Sequence, residues 1–485
     1  MNIKNIGVVG GGTAGFVSAL ILKSRYPNCQ VDLIKSDTIG IVGVGEGSTE
    51  HWAEFMKYVG INHQHILRQC GATYKTGIMF KGWAEEDYLH STHADFDKKT
   101  GQYLYYYGRQ IGNEYPQKTL TLGHIWKNQL ELGTIEDKNP PFNQFHFDTF
   151  KLNEFLHHWA ELKGIRIIND EILEIPTNEN GIEILKGKKE NYLYDFYVDA
   201  TGFKKLLISK LGAKWTSYSD YLKVDSAITF PIENDNEYNL WTVAQAMKYG
   251  WMFKIPVQGR YGNGYIFDSK FIDANAAKKE VEDFLGHEIN VGKNIKFDPG
   301  ALDKVWIKNC CAIGLSASFV EPLEASSIGS SIQQSFLLMH RLPNYTQDTI
   351  DDYNRDVNSL LENIRDFVLL HYITDREDTE FWKQYKTLKL PKSLEKNLRR
   401  WTNNLPIEED FNNLTKYIMF REANFSQVMH GLKLFNSKKI LEEFEMQHPE
   451  IKKLAKTGLE EIRIYESVIK TIGHKRYIDL LKEYV

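Results

Sequence analysis

Apolar positions along the first 34 residues fall into blocks. Ile6, Val8 and Val9 make a short run closed by glycines. A stretch from about Ala14 to Arg25 stops at Pro27 and Asn28, and Val31, Leu33 and Ile34 make a second run. A short apolar run bounded by glycine predicts a buried parallel strand, and proline with asparagine ends a helix. The order predicts a right-handed βαβ unit at the front of a Rossmann-like sheet. Two further apolar strands are expected, one ending in Y-V-D-A-T-G-F at 197–203 and one at C-C-A-I-G-L, 310–315, so the sheet draws on distant segments. Residues 224–268 alternate aromatic and apolar stretches, which predicts antiparallel strands. In the last third the period changes. Val357, Leu360, Leu361, Ile364, Phe367, Val368 and His371 recur at helical spacing. That stripe reads as the core of a helical bundle, with long amphipathic helices expected toward residue 485.

Composition narrows the classes. The 485 residues are 42% hydrophobic and 25% charged, enough for a large core divided over two or three lobes. A net charge of −5 with scattered Lys and Arg gives no footprint for nucleic acid or an anionic membrane. The N-terminal I-G-V-V-G-G-G is too short and glycine-rich for a signal peptide, and no apolar run reaches the ~18 residues of a membrane span. Cys29, Cys70, Cys310 and Cys311 lack C-x-x-C spacing, so no metal site is expected. Reduced, mostly buried thiols in a cytoplasmic protein are the expectation.

Gly10, Gly12 and Gly15 form G-x-G-x-x-G, enclosing Thr13 and Ala14, directly between the first strand and the helix. Glycine at 10 permits the tight turn, at 12 lets a pyrophosphate approach the backbone, and at 15 lets the helix pack on the sheet. The motif alone has many false positives, but this context favours a dinucleotide site over a structural turn. The acidic residue expected ~20 positions on to bind ribose is replaced by Lys35-Ser36, with Asp37 as the candidate substitute.

Lys75 lies in A-T-Y-K-T-G-I-M-F, Glu324 in S-F-V-E-P-L-E-A-S-S-I-G, and G-W-M-F-K-I-P spans 250–256. Read alone, Lys75 is more commonly a lysine snorkelling to the surface, and Glu324 a helix-start carboxylate or surface ion pair. Glu321, before proline, reads as structural.

Taken in this order, these segments resemble the flavin-dependent halogenases of the tryptophan-halogenase family. The resemblance extends to V-D-A-T-G-F-K-K-L-L-I (198–208), A-M-K-Y-G-W (246–251), G-R-Y-G-N-G-Y (259–265), Y-N-R-D-V and R-D-F-V-L-L-H-Y within 353–372, and D-T-E-F-W (378–382). It fades after about residue 400. It implies an α/β fold of the glutathione-reductase-like, Rossmann-type FAD-binding class with an antiparallel sheet and a C-terminal helical region. The implied division is an FAD-binding module over 1–345, with the substrate-side sheet inserted at about 224–268, and a helical substrate-side region over 346–485.

The resemblance also assigns roles. I-V-G-V-G-E-G-S-T at 41–49 is similar to the family's strap over the flavin, with Gly47 at its alanine position, and Asp199-Ala200-Thr201-Gly202 to a second FAD fingerprint. Gly10, Gly12, Thr13, Ala14, Gly15, Gly47, Ile172, Leu315 and Ile328 are the implied cofactor contacts. Lys75 and Glu324 are the implied catalytic pair. The family's E-S-T-G halide loop reads Glu324-Ala325-Ser326-Ser327 here, which puts the halide at Ser326 and Ser327 and leaves its identity open. Trp251 and Phe253 form the implied aromatic wall, Phe253 standing for the family's second tryptophan. The implied reaction uses FADH2 from a separate flavin reductase, O2 and bromide, iodide or chloride to make hypohalous acid, which is relayed to Lys75 and onto a small aromatic substrate. Y-I-M-F-R-E-A-N-F-S-Q-V-M at 417–429 departs from the segment that closes over free tryptophan, so an indole or phenol type is expected instead. A homo-oligomer is compatible with the sequence. The competing readings are a flavin monooxygenase, which the Gly314-Leu315 pair in place of Gly-Asp argues against, and a non-catalytic FAD-binding protein.

Overall fold

The structure, a computed structural model, describes residues 3–38, 40, 43, 45–92, 123–136, 143–233 and 238–483. Ile41, Val42 and Val44 of the expected strap, residues 234–237 of the expected inserted sheet and the last two residues of the helical region lie outside these.

Six strands form the nucleotide-side sheet, in the order Trp306–Ile307, Cys310–Ala312, Phe196–Asp199, Asn5–Val9, Gln30–Lys35 and Arg166–Asn169. All neighbours run parallel except the Trp306–Ile307 edge. Ile6 and Val8 are fully buried, as are Val31 and Leu33, which is why these strands read as continuous apolar runs. The helix Thr13–Arg25 starts at Gly12 and buries every residue from Gly15 to Leu22. Its outer side packs on the helix Ser326–Arg341, where the Ser18 and Ser335 hydroxyls meet at 3.0 Å.

A seven-stranded sheet covers the other side of the site. Its order is Lys293–Lys296, Ser226–Glu233, Arg260–Phe267, Gly250–Val257, Trp241–Ala246, Gly77–Lys81 and Tyr88–Ser91. Four of these are the antiparallel strands expected over 224–268. The Gly77–Lys81 strand joins them parallel to Trp241–Ala246, and its hairpin partner Tyr88–Ser91 forms the edge. That pairing is non-local, so alternation within 224–268 gave no sign of it. A small three-stranded sheet has Phe145–Phe147 between Glu46–Gly47 and Thr73–Tyr74. It brings Ser48 and Lys75, the next residues of the two outer strands, side by side.

Gln347–His371 is a 25-residue helix capped by Thr346, and the predicted stripe from Val357 to His371 is buried. The expectation of long amphipathic helices beyond it is met by one helix only. The helices that follow are shorter, the longest spanning the 20 residues Pro449–Val468. Prolines divide this region, Pro391 capping one helix and Pro449 opening another. The chain then returns. Thr471–Gly473 pairs with Gln129–Glu131, and His474 accepts the Tyr74 backbone N–H at 3.1 Å while its other ring nitrogen donates to the Tyr238 carbonyl at 3.1 Å. Burial pushes His474 down to about 4, so the ring stays neutral and keeps both roles at physiological pH. The C-terminal region thereby pins the backbone next to Lys75. Among the described residues no helix is long and apolar enough to cross a membrane, and no His, Cys, Asp and Glu group is arranged to hold a metal ion.

Candidate active site

The glycine turn opens one wall of a cavity of about 830 Å³. Gly10, Gly12, Thr13, Ala14, Gly47, Ile172, Leu315 and Ile328 all line it; Gly15 lies beneath, within the helix. The three motif glycines have different physical reasons. Gly10 has φ +128°, and a Cβ there would sit 2.1 Å from the Ala200 carbonyl oxygen. A Cβ on Gly15 would sit 1.9 Å from the Gly10 carbonyl oxygen. A Cβ on Gly12 would meet nothing within 4 Å, because it points into open space. Gly12→Val is therefore expected to fold normally and to weaken FAD binding by at least tenfold, on the order of the affinity carried by one blocked phosphate contact. A flavin-fluorescence titration with a thermal melt as control checks this; unchanged affinity in a folded variant contradicts it.

Beside the glycine turn Lys35 pairs with Asp37 at 2.9 Å, and the Asp37 carboxylate also accepts from the Asn169 side chain. Asp170, also in the lining, is already occupied by backbone N–H groups and the Tyr192 hydroxyl. Asp37 is half open to solvent and remains accessible.

Trp251 and Phe253 line the cavity together with Ile255. They alternate along Gly250–Val257, so strand geometry puts all three on one face. The Phe253 ring lies over Gly264, where a Cβ would come within 2.5 Å of it. Ser326, Ser327 and Ile328 form another part of the wall, at the start of the 16-residue helix Ser326–Arg341. Its first N–H groups have no intrahelical acceptor and carry the positive end of the helix dipole. The preceding Ala325 holds a left-handed φ of +52°.

Lys75 and Glu324 do not line this cavity. Both line a second, narrower pocket with Glu50, His90, Gln144, Met419, Phe420 and Asn424. Lys75 is buried, and its Nζ donates to the Ser48 carbonyl at 2.7 Å and to Gln144 Oε1 at 3.2 Å. Gln144 in turn donates to Glu50 at 3.2 Å, and its carbonyl accepts the Lys75 backbone N–H at 3.0 Å. Burial pushes Lys75 down to about 8, while the charges of Glu324 and Glu50 pull it back up. The lowering brings the free, nucleophilic amine closer to neutral pH.

Glu324 is clasped by two buried histidines. His90 Nδ1 lies 2.8 Å from one carboxylate oxygen and His371 Nε2 lies 2.8 Å from the other. The first is a hydrogen bond; the second is a close contact without hydrogen-bond geometry. The other His90 nitrogen accepts from the Asn424 amide at 3.1 Å, and His371 Nδ1 donates to the Phe367 carbonyl at 2.9 Å. Burial alone would raise the Glu324 carboxyl, but the two histidines outweigh it and hold it down at about 2. The site therefore keeps a fixed carboxylate beside a partly deprotonated lysine.

Glu321, three residues earlier, is fully buried and accepts from the Tyr372 hydroxyl at 2.6 Å. Burial pushes it up to about 8 against that hydrogen bond, so it is mostly protonated at pH 7. The unfolded chain releases this proton near pH 4.3. Stability conferred by the neutral form is full below that value and is lost as pH rises to about 8. Glu321→Gln cannot ionise, so its melting temperature is expected to gain on wild type steadily between pH 5 and pH 8. Parallel melting curves across that range contradict the assignment.

His90, Gln144, Asn424 and Ser48 are site residues that the sequence patterns did not single out, and His371 was read only as bundle core. Each reaches the pocket through a non-local contact. A histidine at the end of an otherwise apolar helical stripe was the one available signal.

A sequence model of the tryptophan halogenase family matches residues 5–443. The chain belongs to the tryptophan halogenase family. It is 29% identical over 465 residues to tryptophan 6-halogenase SttH of Streptomyces toxytricini, covering 84% of this chain and 86% of that protein. It is 28% identical to tryptophan 7-halogenase RebH of Lentzea aerocolonigenes, covering 89% and 90%. Among solved structures, the flavin-dependent halogenase Xcc4156 of Xanthomonas campestris superposes with a TM-score of 0.86 at 26% identity over 99% of this chain and 98% of that one. BrvH, a flavin-dependent halogenase of Brevundimonas sp. BAL3, gives 0.85 at 25% over 99% of each. This halogenase is thus a flavoprotein oxidoreductase that halogenates an aromatic substrate with FADH2, O2 and a halide. The cavity fits such a cofactor on its own terms. Its volume lies within the roughly 300–1,000 Å³ of ligand pockets, its turn leaves Gly12 open, and its walls combine a helix N-terminus with an aromatic face.

Proposed function

We propose that this halogenase makes hypohalous acid in the large cavity and uses it in the Lys75 pocket on an electron-rich aromatic of indole or phenol type. The observation that carries the reading is the separation of a glycine-turn cavity from a buried lysine–glutamate pocket. FAD, bound in the manner of glutathione-reductase-like proteins and reduced by a separate flavin reductase, would give two electrons to O2, which takes two more from the halide to leave hypohalous acid and water. The Gly10–Gly15 turn holds the pyrophosphate, Asp37 the ribose, and Gly47, Ile172, Leu315 and Ile328 the ring system and its flanks. Ser326 and Ser327 hold the halide with the first N–H groups of their helix. Trp251 and Phe253 keep substrate from the flavin. Lys75 receives the oxidant, held by Ser48 and Gln144 with its amine ready to hydrogen-bond or bond the halogen. Glu324 stabilises the cationic ring intermediate and takes its proton.

The substrate reading rests on 417–429. Met419, Phe420 and Asn424 line the pocket, and Asn424 is already engaged by His90, so this stretch offers the pocket two apolar side chains and an amide. The domain division near residue 345 and a cytoplasmic location are parts of the same proposal. The test is a competition with the reconstituted enzyme, FAD, a flavin reductase and NADH. Equal chloride, bromide and iodide are offered with a panel of indoles, phenols and L-tryptophan. Bromide or iodide is expected to match or exceed chloride, and simple indoles or phenols to exceed L-tryptophan. Chloride-only turnover or a preference for free tryptophan overturns the reading.

A further inference from the structure

Making hypohalous acid and water from FADH2, O2 and a halide ion, with FAD left over, consumes one further proton. Making hydrogen peroxide from FADH2 and O2 consumes none. The step that oxidises the halide therefore needs an acid, and the cavity wall offers one carboxyl suited to it. Of the carboxyl groups lining the cavity, Asp37 is paired with Lys35, and Asp170 is held by backbone N–H groups and the Tyr192 hydroxyl. Glu154 and Glu171 are exposed. Glu46 differs from these. It is only partly exposed, and among the described residues it has neither a hydrogen-bond nor an ion-pair partner. Burial alone pushes its carboxyl up to about 7. Glu46 stands in the short strand Glu46–Gly47, opposite Phe147. A Cβ on the adjacent Gly47 would lie 3.3 Å from Ala325 Cβ, and Ala325 directly precedes the helix that begins at Ser326. The backbone carrying Glu46 thus runs past the helix start to which the halide is assigned.

We propose that Glu46 is a further catalytic residue, the acid that supplies the proton when the halide is oxidised. The inference rests on the reading that this oxidation takes place in the large cavity, and it names the acid. The halide gives the electron pair of the new oxygen–halogen bond as the oxygen–oxygen bond breaks. The Glu46 proton goes to the oxygen that leaves as water, and solvent reprotonates the carboxylate. The charged groups of the neighbouring segments are directed elsewhere. Lys75 turns to Ser48 and Gln144, His146 to Thr73 and Thr242, and Glu50 to Gln144. Asp148 pairs with Arg260, Lys254 lies over the Tyr261 ring, and Glu324 lies between His90 and His371. This leaves burial as the cause of the upward shift of Glu46. A halide at the helix start adds a negative charge nearby and favours the protonated carboxyl further, so the acid is loaded when its co-substrate is present.

The test is a single turnover from pH 6 to pH 9, with enzyme in excess over FADH2 and with chloride or bromide. Hypohalous acid is captured by a freely diffusing phenol, and hydrogen peroxide is measured beside it. In wild type the hypohalous fraction is expected to fall and the peroxide fraction to rise as pH climbs past about 7. Glu46→Gln keeps the shape of the side chain without its proton. It is expected to form hypohalous acid ~10²-fold more slowly at the low end of the range, to release peroxide in its place and to lose the pH dependence, with a thermal melt confirming folding. A second readout needs no turnover. In the protein without FAD, 13C NMR of labelled glutamate carboxyls is expected to show a resonance titrating near pH 7 that Glu46→Gln lacks. A Glu46 resonance that titrates in the ordinary carboxylate range overturns the proposal. So does hypohalous acid formed by the variant near the wild-type rate, or a wild-type partition that is flat with pH. Absence of any halide-dependent oxidant from wild type at every pH instead sinks the reading of the cavity itself.

Discussion

Lys75→Ala is expected to abolish halogenation while FADH2 is still consumed by O2 at the wild-type rate. The two halves of this result come from different places. Lys75 sits in the narrow pocket, held by Ser48 and Gln144, and is absent from the walls of the large cavity. Removing its side chain leaves the glycine turn, the aromatic wall and the Ser326 helix start untouched. It also removes a buried cation, so the remaining pocket charges from Glu50 and Glu324 lose a counter-charge, and a thermal melt is needed to confirm folding. Stopped-flow oxidation of FADH2 and mass analysis of product, measured on the same preparation, give both readouts. Halogenation near the wild-type rate in the variant contradicts the role given to Lys75.

Glu324→Gln is expected to lower halogenation by ~10²-fold or more, the scale on which a positioned general base contributes. The variant keeps the shape of the side chain but not its chemistry. A carboxylate accepts from His90 and draws His371 at 2.8 Å on either side; an amide presents an NH2 group to one of them. It also removes the negative charge that raises the Lys75 amine, so Lys75 is expected to lose its proton more easily in the variant. Turnover at saturating FADH2 and halide, with FADH2 oxidation as the internal control, measures the loss. A rate within a few-fold of wild type contradicts a charged Glu324 at the reacting ring.

The parts of this molecule that were legible in the sequence are those whose physics is local. Gly10, Gly12 and Gly15 could be read because strand, turn and helix follow one another directly, and the antiparallel strands of 224–268 because alternation shows within each strand. The stripe from Val357 to His371 was visible for the same reason. What stayed hidden depends on pairings between distant segments. Phe145–Phe147 brings Glu46–Gly47 and Thr73–Tyr74 together, and only that sheet turns Lys75 from a surface candidate into a buried one. Gln144 gains its role from the same strand arrangement. His90 stands on an edge strand, Asn424 on a helix start and His371 at a helix end, and they meet only around Glu324. Past residue 371 the amphipathic spacing did not show where Pro391 and Pro449 begin new helices.

The central claim is that reduced flavin is used to put a halogen, and not oxygen, on an aromatic ring. The most direct measurement is product mass from wild-type enzyme with FAD, a flavin reductase, NADH and an aromatic panel, run with and without halide. The account predicts a product in which one hydrogen is replaced by halogen, formed only when halide is present. A product that gains one oxygen, formed equally well without halide, contradicts it.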